Sequence, residues 1–255
     1  PAHATLTPRM IPSRAAPAPP IEPRLQQQHG WGAGAVAVFV AIVSTLTPAF
    51  ADIVISELMY HPTGTPEPLG EEFIELTNTG DEAVDISGWK INRGINFTIP
   101  NATVVTPGGY LVLAANRAAL LARTPGALNI VEGGWNGRLS NSGENVRLVN
   151  VADETIDQVD YTSEGDWAAR RIGPVLSGTR GWIWSAPHDG AGMSLELIDP
   201  RSRNDRGQSW GSSAISGGSP GMVNSIANDN IAPLISGVRH FPAAPSPAES
   251  VTIQA

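Results

Sequence analysis

The sequence contains no cysteine and only one lysine, Lys90, among its 255 residues. The absence of cysteine excludes disulfides, thiol catalysis, and zinc or iron–sulfur sites with cysteine ligands. Lysine and arginine together number 16, against 24 aspartates and glutamates, so the formal net charge is −8. We therefore expect neither nucleic acid nor an anionic membrane as a partner, because both attract basic surfaces.

Charged residues make up 16% of the chain and aromatic residues 6%, whereas glycine (27) and proline (22) are frequent. This composition is typical of turn-rich β proteins. Residues 71–116 agree with it, because short alternating strands are separated there by turns such as 79–81 and 106–109. The sequence therefore predicts an all-β fold, a β-sandwich. A short helix is predicted at 117–123, capped by Asn116, and a hairpin at 145–161.

The N-terminal part of the chain carries export signals. Residues 1–30 are rich in proline and alanine and are predicted to be disordered. Residues 31–51 contain an apolar run followed by Ala49 and Ala51, the small-residue pattern of a signal-peptide cleavage site before Asp52. A retained membrane anchor or a buried helix is the alternative interpretation. We expect cleavage, and hence a secreted or cell-surface protein that contacts no membrane afterwards.

Several pieces of the sequence together resemble one known family. They are residues 53–60, 71–78, 84–89, 97–100, 107–114, 139–144, 157–161, 194–197 and 218–221. In this combination, residues 52–224 resemble the lamin tail domain, an immunoglobulin-like β-sandwich, in its bacterial secreted form. The resemblance implies the fold and a scaffolding or binding character. It does not imply a nuclear role, because no coiled-coil rod is present.

The predicted domain order follows from this resemblance. Residues 52–210 are expected to form the lamin-tail-like sandwich, and residues 211–232 a linker rich in glycine, serine and asparagine. Residues 233–255 are predicted to begin a further immunoglobulin-like domain that continues beyond this sequence. Structural roles are expected for residues that fill the core or form tight turns: Trp89, Phe73, Leu76, Pro107, Gly108 and Gly109.

Three glutamates flank the first predicted strands. Glu57, Glu72 and Glu75 alternate with apolar residues, and we expect them to lie on the solvated face of the sheet. The alternatives are that they pair with an arginine or line a site. Among the acidic loops, Asp199 and Asp205 are weak candidates for a calcium site, since oxygen-rich loops suit that ion. The EF-hand spacing is absent, however, and no other cofactor is indicated.

Four tryptophans occur in predicted loops: Trp135, Trp167, Trp182 and Trp184. Their rings could stack on sugars or anchor a protein partner, which makes them the candidate binding surface. The alternative, which we favour, is that they close the open end of the sandwich as a second small core. Trp182 and Trp184 are two residues apart, which predicts a common strand face.

The sequence offers little evidence of catalysis. The histidines downstream of the export signal, His61, His188 and His240, occupy proline-rich loops and are expected at the surface. Residues 217–221 match G-x-S-x-G, but Pro220 directly follows the serine where the nucleophile elbow requires a helix. We therefore expect no enzyme activity from this chain.

Two functions remain open from the sequence. The first is a non-catalytic secreted or cell-surface module that binds an unknown protein or glycan. The alternative is an N-terminal accessory domain of a larger exported enzyme, for example one with a CotH-like kinase or a hydrolase domain. A hydrolase activity of the domain itself is a weaker third option, because no motif indicates a substrate.

Overall fold

The computed structural model describes residues 53–131, 133–135, 137–233, 235 and 237–255. The predicted disordered segment, signal sequence and cleavage residues Ala49 and Ala51 lie outside the described residues. The described residues fall into two compact units, one within 53–233 and the other within 235–255.

Strands dominate the described part of the larger unit, which contains one short α-helix. In chain order the elements are β1 Ile53–Met59, β2 Phe73–Asn78, β3 Val84–Asp85, β4 Lys90–Arg93, β5 Phe97–Thr98, β6 Val104–Val105, β7 Tyr110–Ala114, α1 Arg117–Arg123, β8 Glu144–Val149, β9 Thr155–Tyr161, β10 Ala169–Leu176, β11 Thr179–Ser185, β12 Leu195–Leu197 and β13 Trp210–Ser212. Alternating polar and apolar residues and frequent Gly-containing turns favour these short strands.

The strands form two principal antiparallel sheets. One has the order β13-β12-β1-β2-β7, and the other has the order β5-β4-β8-β9. The main hydrophobic core includes Ile55 and Leu76 from the first sheet and Ile91 and Leu148 from the second. This arrangement confirms the predicted all-β, immunoglobulin-like sandwich. Two smaller pairs, β3-β6 and β10-β11, complete this unit.

The residues predicted to be structural occupy the core or a tight turn. Phe73 and Leu76 are fully buried, and Trp89 packs half-buried against the main core. At the turn before β7, the Gly108 backbone N–H donates to the Asn78 carbonyl over 2.9 Å. Gly108 has φ +66°, a left-handed conformation that glycine adopts without strain.

The five-stranded sheet is buried on both faces. Its outer face carries a second apolar cluster that includes Met59 and Phe73, and Leu120 of α1 packs against them. The helix begins as predicted, because the Asn116 side chain accepts a hydrogen bond from the Ala119 backbone N–H over 3.0 Å. Helix α1 therefore covers one end of a face that a simple sandwich would expose to water.

The predicted linker 211–232 is wrong in its first half. Residues 210–212 form β13 at the edge of the five-stranded sheet, and residues 217–221 are buried. Asn224 is also buried, and its amide donates to the Ser56 and Leu197 carbonyls over 2.9 and 2.8 Å. The segment is held by backbone and short polar side chains, which is why its composition is that of a flexible linker.

The second unit is described only at residues 235 and 237–255. It contains a hairpin of β14 Arg239–Phe241 and β15 Thr252–Gln254, whose residues are exposed. The prediction that a further immunoglobulin-like domain begins here stays a prediction. Within the described residues, no helix has the length and apolarity needed to cross a membrane.

Candidate functional site

Three glutamates form a row across the outer face of the five-stranded sheet. Glu57 on β1 is the cross-strand partner of both Glu196 on β12 and Glu75 on β2. All three side chains are fully buried. The expectation that Glu57 and Glu75 face solvent is therefore wrong, and so is the same expectation for Glu72, which is also fully buried.

A β-bulge creates this row. The pairing of β1 with β2 shifts between Ile55 and Glu57, so that Ile55 lies opposite Leu76 and Glu57 lies opposite Glu75. Because neighbouring residues of a strand point to opposite faces, the shift turns Ile55 toward the main core and Glu57 toward the outer face. The Ile55 N–H donates instead to Asp157 Oδ2 of the other sheet over 2.7 Å.

Residues 213–226, which we name the strap, cover the glutamate row. Glu57 Oε1 accepts a hydrogen bond from the Ser219 backbone N–H over 2.9 Å, and Glu75 Oε2 accepts one from the Gly221 N–H over 2.7 Å. Glu196 Oε2 accepts one from the Ile226 N–H over 3.0 Å. Each carboxylate is thus bound to a backbone donor of the strap.

Serine hydroxyls bind the remaining carboxylate oxygens. Ser56 donates to Glu75 Oε1 over 2.7 Å, and Ser219 donates to Glu196 Oε1 over 2.8 Å and to Glu57 Oε2 over 3.4 Å. Ser219 is the serine of the G-x-S-x-G match. Its side chain is buried, and its hydroxyl is hydrogen-bonded to Glu57 and Glu196. Each oxygen of the three carboxyls thus has a hydrogen-bond partner within the domain.

Burial governs the protonation of these groups. The pKa of Glu57 is raised to about 8, mainly by burial and further by the neighbouring Glu196, against the lowering effect of the hydrogen bonds from Ser194 and Ser219. Burial also raises the pKa of Glu75 well above its ordinary value, with Glu57 adding to the effect. The pKa of Glu72 rises to about 7, again mainly through burial. Buried carboxyls of this kind favour their neutral form.

The tryptophans on β11 lie at the surface. Trp182 and Trp184 are 56% and 50% exposed, although large aromatic side chains are usually well buried. Their spacing places both on one face of the β10-β11 hairpin, as predicted, opposite Ile172 and Arg170 of β10. The Arg170 guanidinium carbon lies 5.4 Å from the Trp182 ring centroid and 5.9 Å from that of Trp184. This contact orients both indoles by cation–π attraction.

We compared the sequence with models of known protein families. Residues 47–163 match the family model of the Lamin Tail Domain. This part of the chain therefore carries a lamin tail domain. A search of the curated proteins found no match. Because the lamin tail domain is a non-enzymatic immunoglobulin-like domain, the family agrees with the internal role of the glutamates.

The matched residues contain only part of the features described above. Glu57 and Glu75 lie inside the lamin tail domain match, whereas Glu196, the strap and the β10-β11 hairpin follow residue 163. The exposed tryptophans therefore belong to a segment beyond the part that defines the family.

The other two predicted tryptophans are not on the hairpin face. Trp135 is 8% exposed and packs edge-on against Phe97, with ring centroids 6.5 Å apart, so its assignment to a binding surface is wrong. Trp167 is half-buried and lies 6.0 Å from the buried Trp210 ring. Trp167 also lines a cleft of about 710 Å³ beside Arg170, at the base of the hairpin.

The weak calcium candidates do not converge. Asp205 forms ion pairs with Arg203 and Arg206, and Asp199 accepts a hydrogen bond from the Arg201 N–H over 3.0 Å. Asp199 thus has the local turn role that aspartate often takes. Across the described ranges, no group of three or more histidine, cysteine, aspartate or glutamate residues is placed to hold a metal ion.

The three histidines have different environments. His188 is buried, which corrects its predicted surface position: Nδ1 lies 2.7 Å from the Tyr60 hydroxyl and Nε2 lies 3.0 Å from the Trp167 carbonyl. Burial lowers the pKa of His188 and favours the neutral ring. His61 contacts Asp189 over 2.6 Å, and His240 is exposed.

Proposed function

We propose that this lamin tail domain protein is a non-catalytic module that is exported and binds a protein or glycan at the cell surface. The observation that carries the proposal is the exposed pair Trp182 and Trp184. Large aromatic side chains that contribute little to a core are expensive to expose and are enriched at recognition sites.

The buried glutamate row supports the non-catalytic half of the proposal. Its carboxylate oxygens are bound by the strap, and the strap itself contains no charged residue. The three carboxyls of the row are thus hydrogen-bonded within the folded domain. The exposed face that carries Trp182 and Trp184 is the surface that we assign to binding.

The test is binding of the labelled full-length chain to intact cells of its own source, measured by flow cytometry. We expect binding by the unaltered chain and its loss in a variant that combines Trp182→Ala with Trp184→Ala. Glu82→Gln is the control, because Glu82 is exposed and lies on a loop after β2. Circular dichroism and thermal melting verify that all three proteins fold. Equal binding by the double variant, or no binding by the unaltered chain, contradicts the proposal.

A further inference from the structure

The β10-β11 hairpin presents one continuous mixed face. Cross-strand pairs place Arg170 beside Trp184, Ile172 beside Trp182, and Val175 beside Arg180. Since β11 alternates, Arg180 shares the face of Trp182 and Trp184. All of these side chains are exposed. The face therefore combines two indoles and two aliphatic side chains with two guanidinium groups.

The charge of the hairpin is opposite to that of the protein. Residues 169–185 contain three arginines, Arg170, Arg171 and Arg180, and no acidic residue, in a chain of net charge −8. A local basic patch on an acidic protein attracts an anionic group to that patch and repels it elsewhere. The ligand of this face is therefore expected to be anionic at the point of contact.

The position of Arg170 restricts where that anionic group can be. Its guanidinium carbon lies within 6 Å of both indole centroids. About half of each indole remains open to a ligand. A ligand that packs on the indoles and pairs with Arg170 must carry its acidic group close to the surface that packs on them. A sugar ring with a carboxylate substituent satisfies this condition, since its C–H face is apolar and its carboxylate fits the planar guanidinium fork.

The adjoining cleft extends the surface. It holds about 710 Å³ and is lined by Trp167, Arg170, Ser185, Gln208 and Trp210 among others. Asp166 also lines it, and its Oδ2 accepts a hydrogen bond from Gln208 Nε2 over 3.1 Å. Aromatic, amide and carboxylate groups together suit the hydroxyls and the apolar faces of sugars. A ligand longer than one ring can thus continue from the hairpin face into the cleft.

We propose that the hairpin face and the adjoining cleft bind an acidic polysaccharide, whose uronate rings pack on Trp182 and Trp184 and pair with Arg170 and Arg180. This inference rests on the proposed binding function and names the ligand class of the same surface. A lipid surface is a poorer match, because it would not enter the adjoining cleft and would leave its polar groups without a partner. Nucleic acid is a poorer match because its charges lie on the backbone, away from the rings that stack.

The experiment measures binding of the full-length chain to polygalacturonate by isothermal titration calorimetry, at low and at high salt. The comparison ligand is the methyl-esterified polymer, which keeps the rings and removes the charges. We expect binding to polygalacturonate that weakens with salt and is at least about tenfold weaker for the ester. Trp182→Ala and Trp184→Ala are each expected to weaken binding by about tenfold or more.

Two arginine variants complete the test. Arg170→Lys keeps the charge and loses the planar fork, so we expect weaker binding than in the unaltered chain. Arg201→Ala removes one exposed positive charge away from the hairpin and is expected to leave the affinity unchanged. Thermal melting of each variant separates loss of binding from loss of folding.

Equal affinity for the esterified polymer, no affinity for either polymer, or tighter binding to anionic lipid vesicles or single-stranded DNA overturns this inference. So does an Arg201→Ala effect as large as that of the tryptophan variants. Tryptophan-dependent binding to intact cells without polygalacturonate binding would overturn the ligand assignment alone and leave the proposed function standing.

Discussion

The outer face of the five-stranded sheet and the β10-β11 hairpin differ in which side chains they bury and which they expose. On the sheet, Glu57, Glu75 and Glu196 are charged-type residues that are fully buried. On the hairpin, Trp182 and Trp184 are large apolar residues that are half exposed. Both arrangements cost free energy, compared with exposing the glutamates to water and burying the tryptophans in the core.

The difference lies in what compensates each cost. The glutamates receive hydrogen bonds from strap N–H groups and serines, so their burial is offset within the molecule. The tryptophans contact Arg170, which offsets only a small part of their exposure. Residues of the first kind therefore act in folding, and we propose that residues of the second kind are covered when a partner binds.

The largest effect is expected where the strap approaches the sheet. Gly221 has φ +81°, and a Cβ atom there would overlap the Leu128 backbone carbonyl. Gly221→Ala should therefore reduce the free energy of unfolding by about 3–5 kcal/mol, measured by urea denaturation.

Gly178, in the turn of the hairpin, is the matched control. It has the same φ of +81°, and nothing lies within 4 Å of the position that a Cβ would occupy. Gly178→Ala should cost only the conformational strain, about 1–2 kcal/mol. Equal losses for the two variants would show that Gly221 of the strap is not packed against the Leu128 backbone.

The second prediction concerns pH. Glu57 and Glu72 have folded pKa values of about 8 and about 7, above their ordinary value, and that of Glu75 is also raised. A carboxyl with a raised folded pKa stabilises the fold below its unfolded pKa, and that stability is lost as the pH rises through the folded pKa. The free energy of unfolding should thus fall between pH 5 and pH 9, by on the order of 3 kcal/mol.

A neutral isostere tests the origin of this slope. Glu57→Gln keeps the shape of the side chain and removes its charge, so the fall in stability toward pH 9 should become shallower. Glu82→Gln, at an exposed position, should leave the slope unchanged. Urea denaturation at a series of pH values gives both slopes. If the free energy of unfolding of the Glu57→Gln variant falls with pH as steeply as that of the unaltered chain, the pH dependence comes from groups other than the glutamate row.

Local patterns in the sequence were sufficient for the architecture. Period-two alternation and turn residues predicted the strands around 71–116, and the Asn116 cap predicted α1. The same rule predicted that Trp182 and Trp184 share a strand face. Each of these features depends on residues close together in the chain.

The glutamate row could not be predicted in the same way. Alternation places Glu57 on the face of Ile55, and only the bulge at Ser56 moves it to the other face. The strap binds the carboxylates through backbone N–H groups, for which any non-proline residue is equivalent. Its Gly- and Ser-rich composition therefore gave no sign that residues 217–221 are buried against strands more than 140 positions earlier.

The smallest effect on folding is expected at the hairpin. Trp184→Ala removes an indole that is already half exposed and one cation–π contact with Arg170, so the free energy of unfolding should fall by less than about 1 kcal/mol.

Trp210→Ala is the comparison, since Trp210 is 4% exposed and its indole N–H donates to the Asn204 carbonyl over 2.8 Å. That change should cost about 3–5 kcal/mol. Urea denaturation gives both values. A loss at Trp184 as large as that at Trp210 would mean that the hairpin face is packed within the folded protein, and the contrast between a folding surface and a binding surface would not hold.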